Sequence, residues 1–451
     1  MAESLTLARS TPDRRALRAA GMIVLAGIVV KLAGTGKESM VAALYGRSDA
    51  MDAFLAALLI PNLLINVVAE SMNQALIPTL IRVRLQEGRE RAQELLSSSS
   101  TALCGLLAGT TIVMALAARV FFPLIGSNFA PPKLELSIHL FYVLLPCVLL
   151  GGIASNCTAV LNAAGRFAFP ALAPALIPLT IVAGTLAFHG SLGIWALAWA
   201  TVLGMAVHAG WMVASMRPCG YGFRLRWHGW TEPAREVARQ YWPALLSAVV
   251  ASGGLLVDQA MAAMLSPGSV SALVFAGRFV SVAVSLLAGA ISSVLAPRLS
   301  ELAALRDWQG CRAALRDWGG RAALLSTAVA AALILGSRLL VRVVLEHGAF
   351  RDADSNIVSW VLAMYALQIP FFVVSRVPYR LILALRRTDL VFYCGGINLA
   401  LDVVLNVVLM RSMGVAGIAL ATSLWCVSTC ALLWFWALRL LNDAERGERQ
   451  I

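Results

Sequence analysis

Residues 161–201, LNAAGRFAFPALAPALIPLTIVAGTLAFHGSLGIWALAWAT, align without a gap with residues 382–422, ILALRRTDLVFYCGGINLALDVVLNVVLMRSMGVAGIALAT, at an offset of 221. Ala163 falls on Ala384, Gly193 on Gly414, Ala198 on Ala419 and Thr201 on Thr422, and the same offset brings Phe129 onto Phe350. Nearer the start of each half, ALIPTL (75–80) matches VLAPRL (294–299) at an offset of 219. The chain is therefore duplicated. Its apolar runs, taken at about 20 residues per membrane span, predict twelve helices centred near residues 33, 65, 109, 147, 179, 204, 253, 283, 332, 368, 399 and 426. Six spans per half is an even number, so both halves enter from the same side. The repeat is then parallel, about an axis along the membrane normal, a transporter architecture that holds substrate between its halves.

Composition agrees with a membrane solvent. Of 451 residues, 59% are hydrophobic and 13% charged, with a mean hydropathy of +0.79, whereas soluble domains are about 25% charged. The expected fold is an all-α polytopic membrane protein, two six-helix lobes around a V-shaped central cavity. Residues 1–20 form a basic cytoplasmic segment with no cleavable signal, 21–215 the first lobe, 216–239 a cytoplasmic linker, 240–440 the second lobe and 441–451 a cytoplasmic tail.

The net charge of +12 is a matter of topology. Of 36 lysines and arginines, 25 crowd alternate loops, among them Arg82, Arg84, Arg89, Arg91, Arg224, Arg226, Arg306, Arg312 and Arg316; seven occupy the opposite loops and four lie inside spans. By the positive-inside rule the 25 are cytoplasmic, and so are both termini. Membrane lipids with anionic headgroups are the partner this implies, and nucleic acid is not one. The eight cysteines fall mostly in apolar spans without a C-x-x-C pair, and the five histidines form no ligand cluster, so metalloenzyme and nucleophile chemistry have no foundation here.

The informative residues are those the hydrocarbon penalises, at about 2.5–3.5 kcal/mol for a charge at mid-bilayer. Lys31, Lys37 and Glu38 lie on helix 1, beside Gly34 and Gly36; Asp52 and Glu70 lie on helix 2, either side of Pro61; Arg278 and Arg376 lie in the second half. Cations gathered on a wet cavity suit an anionic ligand such as a diphosphate headgroup. The alternative is internal pairing, Lys37 with Glu70 or Asp52. Asp258, Asn398 and Asp402 offer hard oxygens, with Asn398 and Asp402 one turn apart and Thr422 adding a hydroxyl. These suit an alkali cation, with a proton site or pairing to Arg376 as the alternatives.

DAFLAALLIPNLLINVVAESMNQALIP (52–78), FAGRFVSVAVSLLAGAISSVLAPRLSE (275–301), EHGAF (346–350), SRVPYRLILALRRT (375–388) and NLALDVVLNVVLMRSMGVAGIALATS (398–423) resemble the MurJ/MviN-type lipid II flippases of the multidrug/oligosaccharidyl-lipid/polysaccharide exporter superfamily. The resemblance runs in order from about residue 20 to 435. It implies a transporter, not an enzyme. The expected activity is movement of an undecaprenyl-diphosphate-linked oligosaccharide across the bacterial inner membrane by alternating access, with no required cofactor and Na⁺ as a coupling ion. A glycan polymerase or glycosyltransferases are the implied protein partners. Asp52, Glu70 and Arg278 match charged cavity positions, while Lys31, Lys37 and Glu38 stand where the family usually has Arg, Arg and Asp. Asp258, Asn398, Asp402 and Thr422 resemble a cation site of some members. Ile65-Asn66 replaces a usual Arg-Arg pair, and twelve helices are two fewer than the family's set. These departures leave lipid II and an exopolysaccharide repeat both open as cargo. A cation-coupled drug exporter of the same superfamily and a non-transporting scaffold for glycan synthesis are the competing functions.

The charge distribution fixes a topology that fusions can check. A reporter active only outside the cytoplasm, joined after Asp49 or Asp352, is expected to be active, and one joined after Arg89 or Arg312 silent. The reverse pattern overturns the orientation.

Overall fold

The computed structural model describes residues 14–385 and 387–448. The expected N-terminal segment up to residue 13, Arg386 and residues 449–451 of the expected tail lie outside the described residues. Twelve long helices and no strand occur among the described residues: α1 Arg14–Tyr45, α2 Asp49–Gln86, α3 Arg89–Ile125, α4 Pro131–Ala163, α5 Phe169–Leu192, α6 Ile194–Cys219, α7 Glu232–Ala263, α8 Ser269–Ala304, α9 Trp308–Leu345, α10 Asp352–Ala384, α11 Asp389–Met413 and α12 Val415–Arg446. Each expected centre falls inside one of them. In hydrocarbon every backbone N–H and C=O needs an internal partner, and the helix supplies it.

The duplication recurs in the backbone. Gly193 and Gly414, related by the offset of 221, take φ of 54° and 59° and make the same tight turn between α5 and α6 and between α11 and α12. Glycine adopts that conformation without a Cβ clash. Likewise α4 is interrupted at Leu145 and α10 at Leu367, each just ahead of a proline (Pro146, Pro370) that lacks the N–H needed to continue the ladder. α2 has a different irregularity: past Pro61, residues Ile65–Ala69 form a π turn, and the Glu70 N–H donates to the Ile65 carbonyl.

Packing divides the chain into two compact units, each discontinuous in sequence. The first contains residues up to Lys37, Pro61–Ala117 and Phe141–Leu245. Small residues bring its helices close. A Cβ on Gly151 of α4 would lie 2.6 Å from Ile65 Cδ1, and one on Gly204 of α6 3.0 Å from the Ile177 carbonyl oxygen. Thus Ile65 is a knob packed on α4. The second unit contains Glu38–Ile60, Ala118–Leu140 and Leu246–Ile451. Phe275 and Phe350 meet edge to face within it. Chain segments from the first half, the C-terminal part of α1 and the N-terminal part of α2 among them, pack here with helices of the second half.

The repeated pentapeptide ALRDW (304–308 and 314–318) carries a Trp and an Arg that suit an amphipathic helix on the membrane surface. In the structure the two copies differ. Arg306 takes φ of 54° in a turn, Asp307 accepts from the Gly310 N–H at 2.7 Å, and the second copy forms the opening turns of α9, which runs unbroken to Leu345. Tertiary contacts decide the outcome. Arg312 pairs with Glu445 at 3.0 Å, and a Cβ on Gly319 would lie 2.9 Å from the Trp434 ring, so this end of α9 is fastened to α12.

Candidate functional site

The charged residues singled out above fall into three settings. The first is a latch in the second unit, at the end of the helices opposite the arginine-rich loops. Asp52, only 1% exposed, accepts from the N–H groups of Gly268 (2.7 Å) and Ser271 (2.9 Å). These are the unpaired donors at the start of α8, so a carboxylate on α2 caps α8 and meets the positive end of its dipole. Lys133 of α4 donates to Asp52 at 3.0 Å and to Asp49 at 2.7 Å, with its ammonium 4.2 Å from the Phe129 ring centroid. Arg47 donates to the Gly268 carbonyl at 3.0 Å and pairs with Asp354 at 3.2 Å. The Ala349 N–H donates to the Ala43 carbonyl at 2.7 Å, and a Cβ on Gly348 would come within 2.3 Å of that same oxygen. Asp52, expected among substrate ligands, is thus placed by the structure in the latch, because backbone donors and Lys133 occupy its oxygens.

The second setting comprises accessible charges inside spans. Arg278, with its side chain 57% exposed, bonds through Nε to buried Glu38 at 3.1 Å. In the first unit Glu70 is exposed and is held by Ser155, which donates to it at 3.2 Å, and by Asn73 at 3.4 Å. Lys31 and Lys37 are half-buried on α1 of that unit. The sequence grouped Arg376 with these. Like Arg278 it lies in the second unit, where it is stacked 4.0 Å from the Phe372 ring and 5.4 Å from that of Tyr379.

The third setting is a buried oxygen cluster. Asp258 of α7 accepts from Asn406 at 2.8 Å and from Thr422 at 2.9 Å. Asn398 donates to Thr429 at 2.7 Å. Both carboxylate oxygens of Asp402, together with Asn398 Oδ1 and Asn406 Oδ1, are buried without a hydrogen-bond partner. Gly254 leaves room for Asp402, since a Cβ there would be 3.4 Å from Oδ2. Arg376 Nε is also without a partner, so the expected alternative of pairing with Asp402 is not what the structure shows. An ionised carboxylate buried alone costs several kcal/mol, and the unpartnered oxygens of Asp402 are of the hard kind that suits a small cation. No cluster of three His, Cys, Asp or Glu side chains occurs among the described residues, so the donor set is of the amide, hydroxyl and carboxylate kind that suits alkali ions. A cavity of about 260 Å³ opens beside it, lined by Arg376, Asn398, Asp402 and Trp425 among others.

Two participants escaped the sequence. Asn406 continues the four-residue spacing of Asn398 and Asp402, a signal that was present. Lys133 stood in a loop among other cations and carried none.

Comparison with known proteins adds three findings. The family model described as "Lipid II flippase MurJ" matches residues 41–446. Among curated relatives, "Lipid II flippase MurJ" of Burkholderia cenocepacia is 27% identical over 363 residues, 75% of this chain and 68% of that one. "Probable lipid II flippase MurJ" of Synechocystis is 26% identical over 420 residues, 89% of this chain and 78% of the relative. Among solved structures, a lipid II flippase MurJ in an inward closed conformation superposes with a TM-score of 0.80 at 22% identity, covering 94% of this chain and 90% of that one. An inward-facing MATE-family multidrug transporter gives 0.75 at 14%, covering 95% and 99%. At these identities the superpositions establish the fold.

The latch makes a specific energetic prediction. Asp52→Asn removes the charge facing Lys133 and is expected to lower thermal stability by about 3–5 kcal/mol, the usual cost of stranding one member of a buried pair. Lys133→Met in the same chain should return much of it. Melting curves of the two single variants and the double variant check this, and strictly additive losses would show that the two side chains are not coupled.

Proposed function

Because the chain belongs to the lipid II flippase MurJ family, we propose that it moves an undecaprenyl-diphosphate-linked glycan, lipid II or an exopolysaccharide repeat unit, from the inner to the outer leaflet of the bacterial inner membrane. It is a multi-pass membrane transporter. In the proposed orientation both termini are cytoplasmic, and the first six helices and the last six act as two lobes.

The observation that carries the reading is Arg278, an arginine in a span whose side chain is 57% exposed and anchored to Glu38 at 3.1 Å. Facing lipid, such a charge is heavily penalised; facing water and a diphosphate, it is a ligand. Lys31 and Lys37 supply further positive charge, and Glu38 positions the guanidinium. The Asp52 latch then belongs to the outer face. Alternating access requires the α8 cap to be released and the basic end to close in turn. Asp258, Asn398, Asn406, Asp402 and Thr422 are the residues that would hold Na⁺, which when bound would neutralise the Asp402 carboxylate, otherwise buried without a partner among the described residues. Glycan polymerases or glycosyltransferases are the enzymes that would act beside it.

Two substitutions test this. Lys37→Ala should weaken binding of lipid II to the purified protein about ten- to a hundredfold, the loss of one charge-assisted contact in a partly dehydrated site, whereas Lys37→Arg should preserve it. If the lysine were only a structural partner, Lys37→Ala would lower the folded yield and leave the affinity of the remaining protein unchanged. Asp402→Asn should abolish binding of radioactive sodium to protein that still purifies as a single species. Equal sodium binding by wild type and variant would eliminate the cation site.

A further inference from the structure

Between Pro61 and Ile77, the residues of α2 that are exposed are Asn62, Asn66, Glu70 and Gln74, and the others are buried or half-buried. All four are polar. The contrast with α3 is sharp, where Ile112, Leu116 and Val120 are the exposed kind, at 60%, 80% and 70%, as a lipid-facing helix requires. A line of three amides and a carboxylate does not face hydrocarbon, because each unsatisfied polar group there costs several kcal/mol.

The spacing of the four residues and the irregularity of the helix belong together. A residue four positions on overshoots a full α-helical turn by about 40°, so a row at this spacing winds around the helix. The π turn at Ile65–Ala69 lies between Asn66 and Glu70. Its i→i+5 bonding packs more residues into each turn, so four residues fall short of a full turn and the drift reverses. The row is thereby kept to one face. Below it, Asn73 and Ser155 hold Glu70 in place, while buried Val67, Val68 and Ala69 and the Ile65–Gly151 contact fix the bulge.

We infer that this row on α2 is a hydrogen-bonding rail for the glycan portion of the transported lipid. Each amide offers a donor pair and an acceptor in one plane, and a carboxylate accepts from adjacent hydroxyls, the pattern that sugar rings and their acetamido groups complement. The row holds no cation and so does not grip phosphate. It recognises what is attached to the diphosphate. The inference rests on the proposed function.

The experiment measures binding of two lipids, lipid II and undecaprenyl diphosphate, to detergent-purified protein by native mass spectrometry. Asn66→Ala combined with Gln74→Ala should weaken lipid II binding about tenfold, the loss of a few hydrogen bonds, and leave undecaprenyl diphosphate binding unchanged. Asn66→Gln, which keeps the amide, should bind lipid II like the wild type. Equal loss for both lipids, or loss for neither, overturns the rail. A wild type that binds neither lipid overturns the carrier reading instead.

Discussion

A charge inside a bilayer must have a partner, and this molecule is organised by how each of its charges finds one. Asp52 finds the open end of α8 and Lys133; Glu38 finds Arg278; Glu70 finds a serine and an asparagine. Asp402 finds no hydrogen-bond partner among the described residues, and that is the informative case. Satisfied pairs fix packing. Groups left accessible or unsatisfied define where water, a cation or an anionic headgroup enters the account.

The two halves of the duplication share a backbone plan and differ in their buried side chains. Gly193 and Gly414 still make the same turn, and both halves still break a helix before a proline. The buried face of α11 has diverged from that of α5. At the offset of 221, Asn398, Asp402 and Asn406 correspond to Ile177, Ile181 and Thr185. Thr422 donates to Asp258 at 2.9 Å, whereas its counterpart Thr201 donates to its own helix, to the Leu197 carbonyl at 2.7 Å. The oxygen cluster of one half is thus replaced in the other by two isoleucines and a threonine.

Length and hydropathy make the helices legible in the sequence, because the bilayer leaves the backbone little choice. The grouping of Asp258, Asn398, Asp402 and Thr422 is also legible, since polar residues at helical spacing inside apolar runs are conspicuous. What is not legible depends on contacts between distant segments. Asp52 reads as a cavity charge until Lys133 and the α8 N–H groups are seen around it. The fastening of the second ALRDW to α12 through Arg312 and Gly319 is of the same kind. The π turn leaves no mark on hydropathy, because a change of a few degrees per residue moves side chains around a helix without altering which residues are apolar.

The central claim, that charges left open to water and ligand serve cation-coupled movement of a lipid-linked glycan, is tested most directly in proteoliposomes containing fluorescent lipid II. With sodium supplied on one side, leaflet exchange is expected to depend on the sodium gradient and to be lost when Asp258 and Asp402 are both replaced by asparagine. Exchange at the same rate with and without sodium, or in the doubly substituted protein, would contradict it.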